Sequence, residues 1–401
     1  MRIALVFATA FALAASAGRA ADWPQFRGAN GSAVSTETGL PTGFTDKEGL
    51  RWKVTLPGRG IGSPAVVGGR VYVTASSGNR DDRLHVFAID AGTGAKLWHR
   101  QLQATGSTAA HPFTCMAAPS PAADESGVYT LFATGDLAAF DPDGNLRWYR
   151  SLVSDYPTLS NQVGMASSLI LVGDKLIVPM DNAGESFLAA LDTRTGKNIW
   201  KTPRPRDINW VTPVLRTVDG KTEVLFPGPK ELAAYDAATG AKVWAAKTGG
   251  SIPSPTIVDD LLLVPGDSTA LAKLENGRLK ELWKTNRLKT GMSSPLFYEG
   301  RIYAAAPTGV VVCADAKTGK QIWDIRLKGT FSGSPVAADG KIYLANETGV
   351  LFVLKAGGDS TEILGESPTK DRVLATPAIS GGAVFVRGEK TLFCVGPKYG
   401  N

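Results

Sequence analysis

The stretch "DAATGAKVW" at residues 236–244 decides the fold because the chain repeats it. Full copies are "DAGTGAKLW" at 90–98, "DTRTGKNIW" at 192–200 and "DAKTGKQIW" at 315–323, with a shorter copy, "DPDGNLRW", at 141–148 and a diverged one, "LENGRLKELW", at 274–283. In such a turn the Asp can accept backbone N–H bonds and the Gly supplies a left-handed residue. Repetition at this spacing predicts a fold assembled from copies of one unit.

A second signature runs in phase with the first. Ser-Pro or Thr-Pro occurs at 63–64, 120–121, 212–213, 254–255, 294–295, 334–335 and 376–377, and Ser167-Ser168 takes its place in one copy. These eight positions are separated by 40 to 57 residues. The chain therefore contains eight units.

The sequence pattern of each unit predicts four antiparallel strands. The Ser-Pro step opens a short apolar strand, and a pair such as Gly68-Gly69, Gly173-Asp174, Asp339-Gly340 or Gly381-Gly382 follows it. These pairs tolerate the positive φ of a two-residue hairpin turn. Two strands of alternating pattern come next, and the D-x-x-T-G turn leads into a fourth strand that ends at Trp. The pattern predicts an all-β fold, an eight-bladed β-propeller of four-stranded antiparallel blades.

The recurrent tryptophans and the chain ends predict how the blades join. A large indole in every unit is expected to wedge between neighbouring sheets; these residues are Trp98, Trp148, Trp200, Trp244, Trp283 and Trp323. The last unit has only three strands, whereas "GLRWKVTL" at 49–56 is a Trp strand without a unit. We expect strand 49–56 to join the last blade, so that Trp52 lies beside residues 391–395. Closure of this kind removes free sheet edges.

The N-terminal residues read as an export signal. Arg2 precedes an apolar run that is too short for a comfortable membrane span, and cleavage is expected after Ala17 or Ala20, with a retained anchor helix as the alternative. No Cys is near these sites, so a lipid anchor is not expected. The domains are then a signal peptide at 1–20, a leader at 21–48, the propeller at 49–396 and a tail at 397–401. We expect a periplasmic or secreted monomer without a transmembrane anchor.

The charge of the chain argues against nucleic-acid binding. The formal charge of +6 falls to +4 without Arg2 and Arg19, and the basic residues are scattered. The three cysteines allow at most one disulfide. Cys313, assigned to blade seven, and Cys394, in blade eight, occupy the same position before the turn acid, where other units place Ala, and are interpreted as core residues. Cys115 lies in the longest loop and is the thiol expected to react.

In these motifs the chain resembles the PQQ-like β-propeller repeat family. The repeated A-x-D-x-x-T-G-x-x-x-W segments followed by Ser-Pro cover residues 49–396, and "DWPQFRGANGSAVSTETGLP" at 22–41 is similar to the leader of exported bacterial members. The resemblance implies one of two activities. Quinoprotein dehydrogenases bind pyrroloquinoline quinone and Ca²⁺ and oxidise alcohols or sugars, whereas the lipoprotein of the outer-membrane β-barrel assembly machinery is a non-catalytic binding platform.

The loops that enter the blades contain the candidate functional residues. For a quinone with three carboxylates, the candidates are the cations Arg59 and Arg372 and the stacking surface Trp210. The resemblance also implies a disulfide between adjacent cysteines and a Ca²⁺ site, but the sequence has no Cys-Cys pair and no matching ligand set. Pyrroloquinoline quinone and Ca²⁺ are therefore an alternative only, and no catalytic or metal-binding residue is assigned. His85 and His99 are expected on blade surfaces and add no convincing metal site.

The same loops favour contact with a protein, peptide or polymer. The partner-binding candidates, drawn mainly from the long loops 103–119 and 154–164, are His111, Phe113, Cys115, Met116, Asn161, Gln162, Asn209, Trp210 and Phe331. Asp181, Asn182 and Glu347 are further polar residues of this face. Long loops on a repetitive scaffold are where binding specificity is commonly added. The leading hypothesis is a non-catalytic binding platform or scaffold, and the alternative is a quinone-dependent dehydrogenase.

Overall fold

A computed structural model describes residues 21–45, 48–160, 164–247, 250, 252–266, 268–275 and 278–397. The predicted signal peptide lies outside the described residues. Thirty-two strands in these residues form eight separate four-stranded antiparallel sheets, which confirms the predicted eight-bladed β-propeller. No helix in the described part of the chain is long and apolar enough to cross a membrane.

Seven blades use four consecutive strands from the innermost to the outermost. Blade one is β2 Ala65–Val67, β3 Arg70–Ser77, β4 Arg83–Asp90 and β5 Lys96–Gln103; blade two is β6 Ala122–Asp124, β7 Gly127–Leu131, β8 Asp136–Phe140 and β9 Leu146–Ser151. Blade three is β10 Ile170–Val172, β11 Lys175–Met180, β12 Phe187–Asp192 and β13 Asn198–Pro203; blade four is β14 Val214–Val218, β15 Lys221–Pro227, β16 Leu232–Asp236 and β17 Lys242–Ala246.

The second half of the ring repeats this order. Blade five is β18 Thr256–Val258, β19 Leu261–Val264, β20 Thr269–Glu275 and β21 Arg278–Thr285; blade six is β22 Leu296–Tyr298, β23 Arg301–Ala305, β24 Val310–Asp315 and β25 Gln321–Arg326. Blade seven is β26 Val336–Ala338, β27 Lys341–Ala345, β28 Val350–Lys355 and β29 Ile363–Pro368. One short α-helix, α1 Leu152–Asp155, and a 3₁₀ turn at Ala29–Gly31 complete the elements.

Blade eight closes the ring with strands from both ends of the chain. Its order is β30 Ala378–Ser380, β31 Ala383–Arg387, β32 Thr391–Val395 and, outermost, β1 Leu50–Thr55. Trp52 pairs with Cys394 across the β1–β32 ladder, as the sequence predicted. The N-terminal strand therefore covers the edge that β32 would otherwise expose.

The recurring turn is the docking site for the tryptophan of the preceding blade. The indole N–H donates to the carbonyl of the residue directly after the turn acid; the pairs are Trp52 to Ala91, Trp98 to Pro142, Trp148 to Thr193, Trp200 to Ala237 and Trp283 to Ala316, at 2.8–3.1 Å. The turn glycine lies against the same indole, as Gly240 does against Trp200. The motif is repeated because each copy receives a neighbouring blade.

Two units whose turns depart from the motif bind tryptophan differently. Trp244 precedes the diverged turn of blade five and donates to Glu223 of its own blade at 3.4 Å. The indole nitrogen of Trp323, before the blade-seven turn "AGGDST", has no hydrogen-bond partner within the described residues. The hydrogen bond between the indole and the next blade therefore forms where the next blade has the turn motif, and is missing where that turn has diverged.

The Ser-Pro signature builds a closed ring of hydrogen bonds around the axis. In each blade the backbone N–H of the Ser or Thr donates to the side-chain hydroxyl of its counterpart in the next blade, at 2.9–3.0 Å. The eight residues are Ser63, Ser120, Ser168, Thr212, Ser254, Ser294, Ser334 and Thr376, and the last donates to Ser63. We call this set the hydroxyl ring. Pro after the Ser holds that Ser in an extended conformation and leaves its N–H free to bond sideways.

The leader crosses the face that carries the hairpin turns. Trp23 exchanges two backbone bonds with Val66 of blade one, and Ala33 accepts one from Ala337 of blade seven. Trp23 is 1% exposed and belongs to the same apolar core as blades seven and eight. The leader therefore packs against the ends of the inner strands on this face and closes the bottom of the propeller.

The cysteines and the turn glycines refine two predictions. All three cysteines are free and buried. Cys313 lies in β24 of blade six, so its assignment to blade seven was wrong, while its core position is confirmed. Gly68 and Gly69 adopt φ of 56° and 75°, as the hairpin prediction required.

Two glycines with nearly the same backbone angle test the docking of tryptophan. Gly240 has φ +73° and a Cβ placed there would lie 2.5 Å from Trp200, whereas Gly220 has φ +75° and open space. Ala at either position must keep a positive φ, which costs about 1–2 kcal/mol. At Gly240 alone, the contact of the new Cβ with Trp200 adds an overpacking cost of about 1–3 kcal/mol. We expect Gly240→Ala to lower the free energy of unfolding by at least about 1 kcal/mol more than Gly220→Ala in urea denaturation. Equal losses would contradict the docking role.

Candidate functional site

We call the face opposite the leader the upper face. It contains a funnel whose wall is formed by one residue of each blade, always at the same position of the repeat. This position lies two residues before the hydroxyl ring, and its occupants are Ile61, Ala118, Ala166, Trp210, Ile252, Met292, Ser332 and Leu374. We call this set the collar. Seven of these residues, with His111, Phe113 and Thr114 from the long loop, line a cavity of about 400 Å³. None of the described residues that line it is Asp, Glu, Lys or Arg, and most of them are apolar.

Several large apolar side chains of the funnel are exposed to solvent. Phe113 is 55% exposed, Ile252 is 41% exposed and Met292 is 39% exposed. Trp210 is half-buried and donates from its indole N–H to the carbonyl of Gly164 at 2.9 Å. The structure thus brings three candidates, His111, Phe113 and Trp210, to one accessible surface. The rings of His111 and Phe113 stack there with their centres 5.5 Å apart.

Three ion pairs between the eighth, first and seventh blades form one side of the rim. Arg59 bonds to Glu389 at 2.8 Å and also donates to the carbonyl of Thr114 at 2.7 Å. Arg372 bonds to Glu347 at 3.0 Å and to Glu389 at 3.3 Å, and its guanidinium lies 5.2 Å from the ring centre of Phe113. Two cations and two carboxylates therefore compensate each other and hold the long loop in place.

The cation candidates are thus brought together, but with partners of their own. Glu389 was not among the candidates, because it is 330 residues from Arg59 in the chain and only closure of the ring brings the two together. Both candidate guanidiniums, Arg59 and Arg372, therefore already bond carboxylates of the protein.

A buried network supports the loop that carries Trp210. Arg204 and Asp181 form a bidentate pair at 2.8 and 2.9 Å, with both side chains no more than 3% exposed. Asn209 donates to the same carboxylate at 3.0 Å. Burial opposes the charge of Arg204, but the hydrogen bonds and the charge of Asp181 raise its pKa. Removal of one partner of such a pair leaves a buried charge without compensation, so the pair and Asn209 form one interdependent network directly before Trp210 in the chain.

Four partner-binding candidates are buried and do not form the surface. Cys115 is 1% exposed, Met116 0%, Asn209 1% and Phe331 0%. The loop folds back so that Cys115 and Met116 pack into the apolar core between blades one and two. These four side chains are therefore not part of the accessible surface of the funnel. Asn161 and Gln162 lie outside the described residues.

The polar residues of neighbouring loops also act internally. Asn182 bonds to the backbone of its own loop, at Met180 and Glu185. His85 was expected on a blade surface but is 3% exposed and bonds to His99 at 3.0 Å and to Ser77 at 2.8 Å. Burial, followed by the neighbouring charges of His99 and Arg83, lowers the pKa of His85 to about 4. No group of three His, Cys, Asp or Glu side chains in the described chain could hold a metal ion.

These observations test whether the funnel fits pyrroloquinoline quinone with Ca²⁺. A three-carboxylate quinone calls for uncompensated cations, and Ca²⁺ takes six to eight oxygen ligands. Both rim guanidiniums already bond carboxylates, the lining is apolar, and the described residues contain no metal-ligating cluster. The residues present do not fit this cofactor pair.

Sequence reasoning missed seven collar residues: Ile61, Ala118, Ala166, Ile252, Met292, Ser332 and Leu374. Each is a single side chain in a short loop, so no local pattern identifies it. The signal that could have found them is register. Every collar residue precedes its hydroxyl-ring residue by two positions, as Trp210 precedes Thr212.

Comparison with known proteins gives a family match and more distant relatives. A family model described as "Outer membrane protein assembly factor BamB" matches residues 32–207, 184–293 and 276–360. A polyvinylalcohol dehydrogenase of Sphingopyxis sp. (strain 113P3) is 27% identical over 241 residues, which are 49% of this chain and 35% of that protein. The chain thus spans about a third of the length of this relative.

Two solved structures share the fold. BamB from Moraxella catarrhalis is 19% identical with a TM-score of 0.64, over 88% of this chain and 98% of that one. A quinohemoprotein alcohol dehydrogenase from Comamonas testosteroni is 16% identical with a TM-score of 0.73, over 94% and 81%. Identities this low establish a common architecture, and an architecture by itself does not specify a function.

The buried cysteines lead to a chemical prediction. Burial raises the pKa of Cys115 to about 11, which outweighs the opposing charge of Arg59, and reaction with a disulfide reagent requires an accessible thiolate. We expect none of the three thiols to react with Ellman's reagent at pH 8 in the native protein, and all three to react in guanidinium chloride. One fast native thiol that is absent from Cys115→Ser would show that the loop exposes Cys115.

Proposed function

This chain belongs to the PQQ-like β-propeller family whose model is described as outer membrane protein assembly factor BamB, and we propose that it is a non-catalytic platform that binds an apolar segment of a protein in its funnel. The observation that carries the proposal is the apolar collar, which exposes Ile252, Met292 and the neighbouring Phe113 in one concave surface. Exposed apolar patches of this kind mark interaction sites in soluble proteins.

The energetics of the collar favour a few anchoring side chains. Complete burial of an Ile, Met or Phe side chain contributes about 1.5–3 kcal/mol. Two or three such contacts offset part of the several kcal/mol that association costs in lost freedom. The funnel therefore supports reversible binding in which a small number of apolar side chains enter the cavity.

The surroundings of the collar match the anatomy of a protein interface. The apolar centre is bordered by the compensated pairs of Arg59, Arg372, Glu347 and Glu389. Interfaces commonly combine an apolar core with a polar rim. Because these four charges cancel, the rim gives no strong preference for a charged partner, and the shape and apolar character of the funnel select the ligand.

We place this platform in the periplasm or outside the cell as a monomer. The support for export is the apolar run after Arg2 in the sequence, with its small residues near Ala17 and Ala20. The matching family model is described as an outer membrane protein assembly factor, and this description agrees with that location.

Selection of peptides tests the platform directly. We expect peptides selected from a displayed random library on the purified protein to share apolar residues. We expect Ile252→Asp to weaken their binding at least tenfold, because tenfold corresponds to about 1.4 kcal/mol and the change removes one anchor. Isothermal titration calorimetry with a selected peptide measures the effect.

Leu146→Asp provides the matched control. Leu146 is 53% exposed, but it begins β9, the outer strand of blade two, away from the funnel. Peptides that bind both variants equally would contradict the proposal. So would a protein that selects no peptide but binds polyvinyl alcohol in a manner sensitive to Ile252→Asp, because the platform would then serve a polymer.

A cofactor titration tests the dehydrogenase alternative. Since the rim cations are compensated and the lining is apolar, we expect no saturable change in quinone absorbance when pyrroloquinoline quinone and Ca²⁺ are added. We also expect no dye reduction with polyvinyl alcohol or a simple alcohol. A stoichiometric spectral change together with substrate-dependent dye reduction would replace the platform by a dehydrogenase.

A further inference from the structure

The hydroxyl ring contains donors whose protons have no acceptor among the described residues. Each of its eight hydroxyl oxygens accepts one backbone N–H. Within the described ranges, no hydrogen bond donated by any of these hydroxyls is found. A hydroxyl has one proton to donate as well as lone pairs to accept with. The ring residues are only 2–4% exposed, so their protons require an acceptor near the axis.

These hydroxyls line an axial channel below the funnel. The channel encloses about 100 Å³ and is bounded above by the collar and below by Phe26 of the leader. Seven collar residues line both the funnel and the channel. A ligand that enters from the funnel therefore passes the apolar collar before it reaches the hydroxyl ring.

A buried cation lies beside the lower end of this channel. Arg27 follows Phe26 and is 0% exposed. Its guanidinium donates to the carbonyl oxygens of Pro255 at 3.0 Å and Pro295 at 2.6 Å, which directly follow Ser254 and Ser294 of the hydroxyl ring. It also donates to the hydroxyl of Thr256 at 2.7 Å. No ion pair of Arg27 with a carboxylate occurs in the described part of the chain, and its Nε has no partner there.

The charge of this site selects the kind of ligand. Eight hydroxyl donors line the channel, and the described residues of this lining include no carboxylate. The guanidinium of Arg27, which has no carboxylate partner among the described residues, lies next to this lining, on the carbonyl oxygens of Pro255 and Pro295. Hydrogen bonds to an ionised acceptor are shorter and stronger than those between neutral groups. A cation, which could use the free lone pairs of the hydroxyls, is opposed by the nearby guanidinium.

We propose that the axial channel binds a carboxylate carried at the end of an apolar chain. The carboxylate accepts hydrogen bonds from the hydroxyl ring, and the apolar chain occupies the collar above it. This inference rests on the proposed function, because it specifies the chemistry at the tip of the segment that enters the funnel.

A pair of ligands with the same tail tests the carboxylate. Hexanoate and hexanamide differ at the head group, and calorimetric titration of the full protein in a buffer without other carboxylates compares them. We expect hexanoate to bind at one site per chain and at least about tenfold more tightly than hexanamide. Equal binding of the two, or no binding of hexanoate, would overturn the proposal and leave water as the content of the channel. Acetate that binds as tightly as hexanoate would also overturn it, because the apolar chain would then contribute nothing.

Matched substitutions locate the site. Ser254→Val with Ser294→Val removes two hydroxyls beside Arg27, whereas Ser254→Thr with Ser294→Thr retains them. Thr already occupies this position at Thr212 and Thr376, and Val has nearly the shape of Thr. We expect hexanoate binding to weaken about tenfold in the valine variant and less than twofold in the threonine variant. Equal weakening in both would place the ligand elsewhere. Should the valine variant fail to fold, the ratio of hexanoate to hexanamide affinity in the unmodified protein decides.

The outcome is separable from the test of the platform. Selected peptides that still depend on Ile252, in a protein that does not discriminate hexanoate from hexanamide, would refute the carboxylate site alone. Loss of peptide binding together with retained hexanoate selectivity would refute the platform alone.

Discussion

The propeller depends on the hydroxyl ring, a cycle of eight hydrogen bonds in which every blade holds the next. The cycle has no free end, because Thr376 of the last blade donates to Ser63 of the first. Its members are almost completely buried, and a buried N–H without a partner would be costly. A blade that left its place would break two of these bonds and expose two sheet faces. The recurring Ser-Pro step is therefore a closure device as well as the start of a strand.

The ring also explains how one scaffold can support different binding sites. Fold is maintained by the Ser or Thr of each unit, while the residue two positions earlier faces the funnel. Trp210, Met292 and Ala166 occupy that same position in three blades and require nothing of each other for closure. The collar can therefore change without a change in the hydrogen-bond cycle. This separation gives a physical reason why the family relationship describes the architecture of this chain without specifying the residues of its collar.

Sequence alone predicted the architecture because each blade is specified by local signals. The D-x-x-T-G turn, the hairpin pairs and the Trp strand at 49–56 lie within single units, and the structure confirms the blades and the closure by β1. The functional face was less predictable, because its interactions join distant units. Glu389 compensates Arg59 across the closing seam, and Cys115 is buried because the long loop folds back onto blade one and blade two. Neither contact has a signature within one repeat.

The central claim is that the cycle of hydroxyl bonds is closed, and amide hydrogen exchange at single-residue resolution tests it most directly. In a closed ring the amide of Thr376, which bonds to Ser63, is equivalent to that of Ser254, which bonds to Ser294 within the continuous chain. We predict the same slow exchange at both, governed by unfolding of the whole propeller. An amide at Thr376 that exchanges orders of magnitude faster than that at Ser254 would show an open seam and contradict the account.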